Sequence, residues 1–251
     1  MRVPSLTPAL AGVALLAPAA LHVPAALNDP AALHDPAALH GPAAVTPPRN
    51  RPAAGSQSAV AAIELLARLG ECHQISRGRY RTDAGRPATV PVCGTRDAVF
   101  WKADLDIDCD GRSTARCNRR TDPQFATMTA YQQSDGRHLN AATLPYIVVP
   151  APSRIWNPPK HGVRGGSVAA VVYRGRVQYA VVGDTGPRDL IGEASYATAR
   201  ALGIGADPRS GGVPSGVTYI VFKHSRVHRI EDHTAAAAAG VRLARLFVAN
   251  R

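Results

Sequence analysis

Residues 181–195, VVGDTGPRDLIGEAS, hold two carboxylates, Asp184 and Glu193, nine positions apart on either side of a turn rich in Gly and Pro. The run leading into it, Val177 to Val182, is rich in β-branched residues and reads as a buried strand, which Gly183, Gly186 and Pro187 then break. Asp184 is therefore expected at the mouth of a strand. Leu190 and Ile191 carry the chain back inside, and Gly192 bares the backbone just before Glu193, so the second acid opens the next element close to the first. Two acids at the lips of one loop suit general acid and general base work on a glycosidic bond. A plainer assignment uses the same residues: Asp184 caps the turn, and Glu193 caps a helix that starts near Ala194.

Outward from this segment the chain is mostly strands. Ala98 to Ile107, Tyr146 to Pro150, Ser167 to Tyr173, Val177 to Val182 and Val217 to Phe222 carry the β pattern, and YRGR at 173–176 predicts a tight hairpin turn. Helices are few. Ser58 to Leu69 is amphipathic, with Val60, Ile63, Leu66 and Ala67 at helical spacing, Glu193 to Leu202 reads as a short helix, and Thr234 to Val248 is Ala-rich. On that last segment Val241, Leu243, Leu246 and Phe247 form a broad apolar face, expected to pack on the sheet. The balance predicts one all-β or β-rich α+β domain with a few peripheral helices.

The N-terminal quarter is different. Arg2 precedes an apolar run, Pro8 to Ala20, that is too short and too broken by Pro to span a bilayer, so residues 1–26 are expected to be a signal peptide. NDPAAL, HDPAAL and HGPAAV follow as a six-residue repeat with a Pro in each copy, and 27–55 reads as a Pro/Ala-rich linker without fixed structure. Residues 56–251 are left as the functional domain, exported and not held in a membrane. The four cysteines, Cys72, Cys93, Cys109 and Cys117, fit an oxidising compartment. They permit three pairings, of which Cys72–Cys93 with Cys109–Cys117 is favoured because each closes a short loop. Zinc has no C-x-x-C spacing among these cysteines to support it.

The chain carries a formal charge of +11, and removing residues 1–50 takes away Arg2 and Arg49 with Asp29 and Asp35, which leaves that figure unchanged. Such a charge ordinarily points to acidic polymers. Here nearly all of it is Arg, scattered without interleaved aromatics, so neither nucleic acid nor a membrane surface is the expected partner. The acids, by contrast, are concentrated. In ADLDIDCDG, residues 103–111, strand alternation sends Asp104, Asp106, Asp108 and Asp110 to one face and Ala103, Leu105, Ile107 and Cys109 to the other. Carboxylates in such a row repel one another unless cations sit among them. Sugar ammonium groups are such cations. Calcium is the rival, because Asp106, Asp108, Asp110 and Gly111 imitate half an EF-hand loop, but the twelfth position is Cys117 where that loop needs Glu. A turn satisfied by backbone donors is the third option, and no metal is assigned.

The GDT turn followed by GEAS resembles the signature of the family-75 glycoside hydrolases, the endo-chitosanases of fungi and actinobacteria. DLDIDCDG at 104–111, TDPQF at 121–125 and LPYIVVP at 144–150 agree in the same order, and the likeness runs from about Val92 to Phe222. The resemblance implies a secreted, monomeric endo-chitosanase of the actinobacterial type. It implies Asp184 and Glu193 as the catalytic pair, an inverting outcome, chitosan as partner and no cofactor. The stretch from Tyr179 to Ile204 also resembles the second half of double-psi β-barrels, as in family-45 endoglucanases, lytic transglycosylases and expansin-like domains, which implies a single closed barrel with an open groove across one face.

Within that reading Glu193, beside Ile191 and Gly192, suits the raised pKa of an acid and Asp184 suits the base, with a separation of roughly 6.5–9.5 Å expected of an inverting pair. Asp104, Asp106, Asp108 and Asp110 are expected to bind substrate. Thr185 and Ser195 are placed to orient carboxylates or water, and Trp101, Tyr131, Trp156 and Tyr179 are candidates to stack on sugars, Trp156 from a loop. His224, Ser225, Asp232 and His233 lack the elbow of a Ser-His-Asp hydrolase. The alternative class is a non-catalytic module that binds or loosens cell-wall polysaccharide on the same barrel.

Overall fold

The computed structural model describes residues 60–250, and the expected signal peptide and most of the expected linker lie outside them. Seven strands and three α-helices occur in the order α1 (Ala62–Leu69), β1 (Cys93–Gly94), β2 (Ala98–Asp108), β3 (Tyr146–Pro150), β4 (Val168–Tyr173), β5 (Arg176–Gly186), β6 (Glu193–Ser195), α2 (Tyr196–Leu202), β7 (Val213–Phe222) and α3 (His233–Ala249). Six strands close a barrel in the order β2, β6, β3, β5, β4, β7 and back to β2, with β1 outside it on β2. The β2–β6 and β3–β5 pairs are parallel and the other barrel pairs antiparallel. Closure pairs every strand edge of the barrel with a neighbour.

Alternation sorts the apolar residues into two sets. Val99, Trp101, Ala103 and Leu105 of β2 meet Ile147, Val171, Val182, Ala194 and Tyr219 inside the barrel. Phe100, Ala170, Val181 and Phe222 point outward and pack with α1 and α3. The predicted hairpin turn joins β4 and β5, with both Arg174 and Gly175 at positive φ, the geometry that matches strand twist. The terminal helix buries Ala236, Gly240, Ala244 and Phe247 and leaves Leu246 half exposed. On α1 the buried stripe is Ala62, Leu65 and Leu69, while Ile63, Leu66 and Ala67 face solvent. The expected stripe was shifted by about one position because two faces of this short helix are apolar. Disulfides join Cys72 to Cys93 and Cys109 to Cys117, the favoured pairing.

Two expectations around the opening segment are corrected. Gly183 and Gly186 do not end the strand, since β5 runs through to Gly186, and Glu193 opens a short strand, β6, with the helix beginning only at Tyr196. The parallel partner strands hold both pieces in place, pairing Val148 with Asp184 and Asp106 with Glu193. Tertiary pairing has overridden the local turn chemistry. Among the described residues no helix is long and apolar enough to cross a membrane.

Candidate active site

The position of Asp184 depends on one extra residue. In the β3–β5 register Ile147 faces Val182 and Val148 faces Asp184, so Gly183 is a bulge. Without it, alternation after inward-pointing Val182 would turn Asp184 into the barrel; with it, Asp184 shares the outer face with Val148. A side chain at Gly183 would press into Tyr146 and Leu139, which is why the bulged residue is glycine. Across the barrel wall, Asp106 of β2 lies beside Glu193 of β6, and Asp108 beside Ser195. Acids from three strands thereby share one outer face that neither α1 nor α3 covers.

A cleft of ≈ 310 Å³ is lined by Asp108, Asp110, Asp184, Thr185 and Glu193, with Asp122 and Gln124 on its far wall. A second cleft of ≈ 480 Å³ shares Ile107, Asp122, Gln124 and Glu193 with it and continues past Asp106 to Arg209. Glu193 stands where the two meet. The far wall is tied together by Arg209, whose guanidinium donates to the carbonyls of Arg120 and Thr121 at 2.6 and 3.2 Å.

The acids are held by backbone donors. Asp184 Oδ1 accepts from the N–H groups of Ala130 and Thr185, both at 2.7 Å. Asp110 Oδ1 accepts from Ala126 N at 2.7 Å, and Asp108 Oδ1 from Asp110 N at 2.6 Å. Carboxylate oxygens of Asp108, Asp110 and Asp184 lie within 4.8 Å of one another. Burial raises the Asp184 carboxyl above its usual range, opposed by its two N–H donors and by His138. Burial, reinforced by Asp106, Asp110 and Asp184, pushes Glu193 up to about 7. Asp110 is pushed up to about 6, again chiefly by burial, with the Ala126 N–H working against it. The two flanking acids therefore differ: Asp184 has donors that favour its ionised form, whereas Glu193 has only burial and like charges around it.

The remaining predicted residues divide. Thr185 lines the smaller cleft. Asp104 is 3% exposed and stands apart from both clefts, so it is out of reach of a polymer. Ser195 is fully buried; its hydroxyl accepts from Tyr146 N and Thr198 N and donates to Leu144 O, capping α2. Trp101 points into the barrel and stacks on Tyr219 at 5.2 Å, and Trp156 meets it edge-on while donating to His161 Nδ1. Neither indole is open to a sugar, and the polar Arg154–Pro159 loop that suggested exposure folds Trp156 inward. Tyr179 is buried under Gly240 of α3, and Tyr131 lines a separate hollow. Ser225 is occupied with Phe222 O and Val168 N, a structural role. Asp122, Gln124 and Arg209 were not singled out in the sequence. The TDPQF run contains the first two, but nothing local shows that it folds over the acids.

Residues 105–242 match the family model described as fungal chitosanase of glycosyl hydrolase group 75. The chain belongs to this family. Among similar proteins of the group, an endo-chitosanase of Aspergillus fumigatus is 30% identical over 143 residues, covering 52% of this chain and 60% of that protein. An endo-chitosanase of Aspergillus oryzae (strain ATCC 42149 / RIB 40) is 34% identical over 131 residues, covering 48% and 54%. The endo-chitosanase C of Aspergillus oryzae is 32% identical over 129 residues, covering 50% of this chain and 31% of its own length. This group 75 chain thus spans less than two thirds of each of these relatives. Its matched region runs from β2 into α3 and includes every acid that lines the two clefts, together with Arg209.

Proposed function

We propose that the protein is a secreted, monomeric endo-chitosanase that hydrolyses β-1,4 glucosaminidic bonds with inversion, using Glu193 as general acid and Asp184 as general base. Residues 1–26 are its signal peptide, 27–55 a linker and 56–251 the catalytic domain. The observation that carries this reading is the shared cleft: Glu193 and Asp184 line one hollow with Asp108 and Asp110, all on the open face of the barrel. Chitosan brings ammonium groups, which a cleft with this many carboxylates attracts. Membership in group 75 supports the same substrate.

The division of labour follows from the surroundings of each acid. A general acid must carry its proton at working pH, and Glu193, at about 7, does so in mildly acidic and neutral solution. A general base must be ionised, and the N–H groups of Ala130 and Thr185 hold Asp184 toward that form while fixing its orientation. In the proposed reaction Glu193 protonates the leaving glycosidic oxygen as the C1–O bond breaks. Asp184 takes a proton from the water that attacks C1 on the opposite face, so the product forms as the α-anomer. Asp108 and Asp110, which share the cleft with Asp184, bind the flanking glucosamine units.

Purified protein is assayed on soluble chitosan for new reducing ends, with the first-formed anomer read by NMR. Glu193→Gln and Asp184→Asn are expected to lose about 10²–10⁴-fold in rate while keeping the circular dichroism of the parent. Wild-type kcat/KM is expected to fall as pH rises through about 7, where Glu193 loses its proton. Near-parental activity in either variant removes that residue from the mechanism, and binding to chitosan without new reducing ends replaces the hydrolase with a binding module.

A further inference from the structure

We infer that Asp83, Asp104 and Asp106 form a binding site for a divalent cation, calcium in particular, at the edge of the substrate groove. One carboxylate oxygen from each of the three lies within 4.8 Å of the others. Two oxygens bound to one calcium at its usual distances are at most about 5 Å apart, so the spacing suits a shared ion.

Asp104 supplies the independent observation. It is 3% exposed, its carboxylate takes part in this trio, and its Oδ1 accepts no hydrogen bond. A buried acceptor without a donor is rare and costly, and calls for a ligand. The neighbouring charges that act on Asp104 are all negative: Asp106, Asp83 and Glu193. The acids of the groove differ in this respect, because Asp108, Asp110 and Asp184 each already accept from backbone N–H groups. The same strand therefore divides its acids between two tasks. Asp108 and Asp110 accept from other residues of the fold, whereas Asp104 has only its own backbone N–H and an Oδ1 without a donor.

Burial selects the ion. An ammonium group carried on a sugar ring cannot bring its charge to an oxygen this deep, whereas a bare ion entering between exposed Asp83 and Asp106 can. Three carboxylates from one loop and one strand, completed by water, suit the irregular oxygen shell of calcium better than the strict octahedron of magnesium. The location gives the ion a task. The Asp83 loop is stitched to the segment between the two proposed catalytic acids by Arg81 N to Asp189 O and Ile191 N to Arg81 O, both at 3.0 Å. Asp106 pairs directly with Glu193. The ion would fasten that loop to β2 and fix the strand on which Glu193 is registered.

The test uses the full chain without chitosan, so its outcome is independent of the hydrolase reading. After treatment with chelator and dialysis, the protein is titrated with CaCl2 by calorimetry, and its Tm is followed in CaCl2, MgCl2 and NaCl of equal ionic strength. A single calcium and a Tm gain specific to calcium are expected. Asp104→Asn should abolish binding, and Asp83→Asn, on an exposed loop that tolerates the change, should weaken it about tenfold or more. No calcium heat with no Tm gain beyond that of NaCl overturns the proposal. Unchanged affinity in Asp83→Asn also overturns it, because the ion then lies elsewhere.

Discussion

Gly186 lets the Glu193 carboxylate sit where it does. A Cβ at this position would stand 2.8 Å from Glu193 Oε2 and 3.2 Å from Val148 Cγ1. The carboxylate is the end of a flexible side chain, so it would swing aside and the backbone would stay. Gly186→Ala is therefore expected to lower kcat on chitosan about 10–100-fold, the usual consequence of misplacing a reacting group by an ångström, with Tm within about 2 °C of the parent. Unchanged kcat would mean that Glu193 does its work from another position or does none. Trp101 gives the opposite signature. Its ring lies inside the barrel against Tyr219, so Trp101→Phe should cost about 1–3 kcal/mol in urea denaturation and leave KM for chitosan unaltered. A raised KM with unchanged stability would put the indole back at the substrate.

The elements were legible from the sequence to different degrees, for physical reasons. Tyr146–Pro150 was found without error because both faces of β3 are buried, leaving an unbroken apolar run. The acidic face of β2 was equally plain, since alternation is a property of the strand itself. The continuation of β5 past two glycines was not, because the partner strand β3 decides it, and the outward turn of Asp184 depends on a bulge visible only in the register. Likewise, the sequence could not say that Asp104 and Asp108, four residues apart, would join different clusters, since Asp83 and Asp184 come from distant elements. The Cys109–Cys117 bridge belongs to this scale. It closes the turn just after β2, from which Asp110 reaches Ala126 N and Tyr146 reaches Asp110 O. Replacing both cysteines by Ala should cost about 2–4 kcal/mol by urea denaturation. A loss below about 1 kcal/mol would show that the hydrogen bonds alone hold the turn.

For the whole molecule, a chain of net charge +11 gathers Asp106, Asp108, Asp110, Asp184 and Glu193 on one face of the barrel, and their mutual repulsion links stability to pH. Asp104 is raised from 3.8 to about 8, Glu193 from 4.5 to about 7 and Asp110 from 3.8 to about 6, all mainly by burial, and Asp106, Asp108 and Asp184 are shifted the same way. The folded protein therefore binds more protons than the unfolded chain between these values, and its stability falls with rising pH in that window. The contribution is fully present below about pH 4 and is lost as pH climbs through 6, 7 and 8. Asp135, Asp207 and Glu231 are shifted downward by hydrogen bonds from neighbours, but they sit at the surface, and their opposite effect is weak and confined to the acid end. In chelator, Tm is thus expected to peak near pH 4–5 and to decline toward pH 8. Glu193→Gln removes one of these titrations, so its decline over pH 5–8 should be shallower than that of the parent, and its Tm at pH 8 higher. A parent Tm that is flat or rises across this range, or a variant that declines in parallel with it, would mean that these carboxyls are solvated and ordinary. The cleft would then lack the burial that sets Glu193 apart as the proton donor.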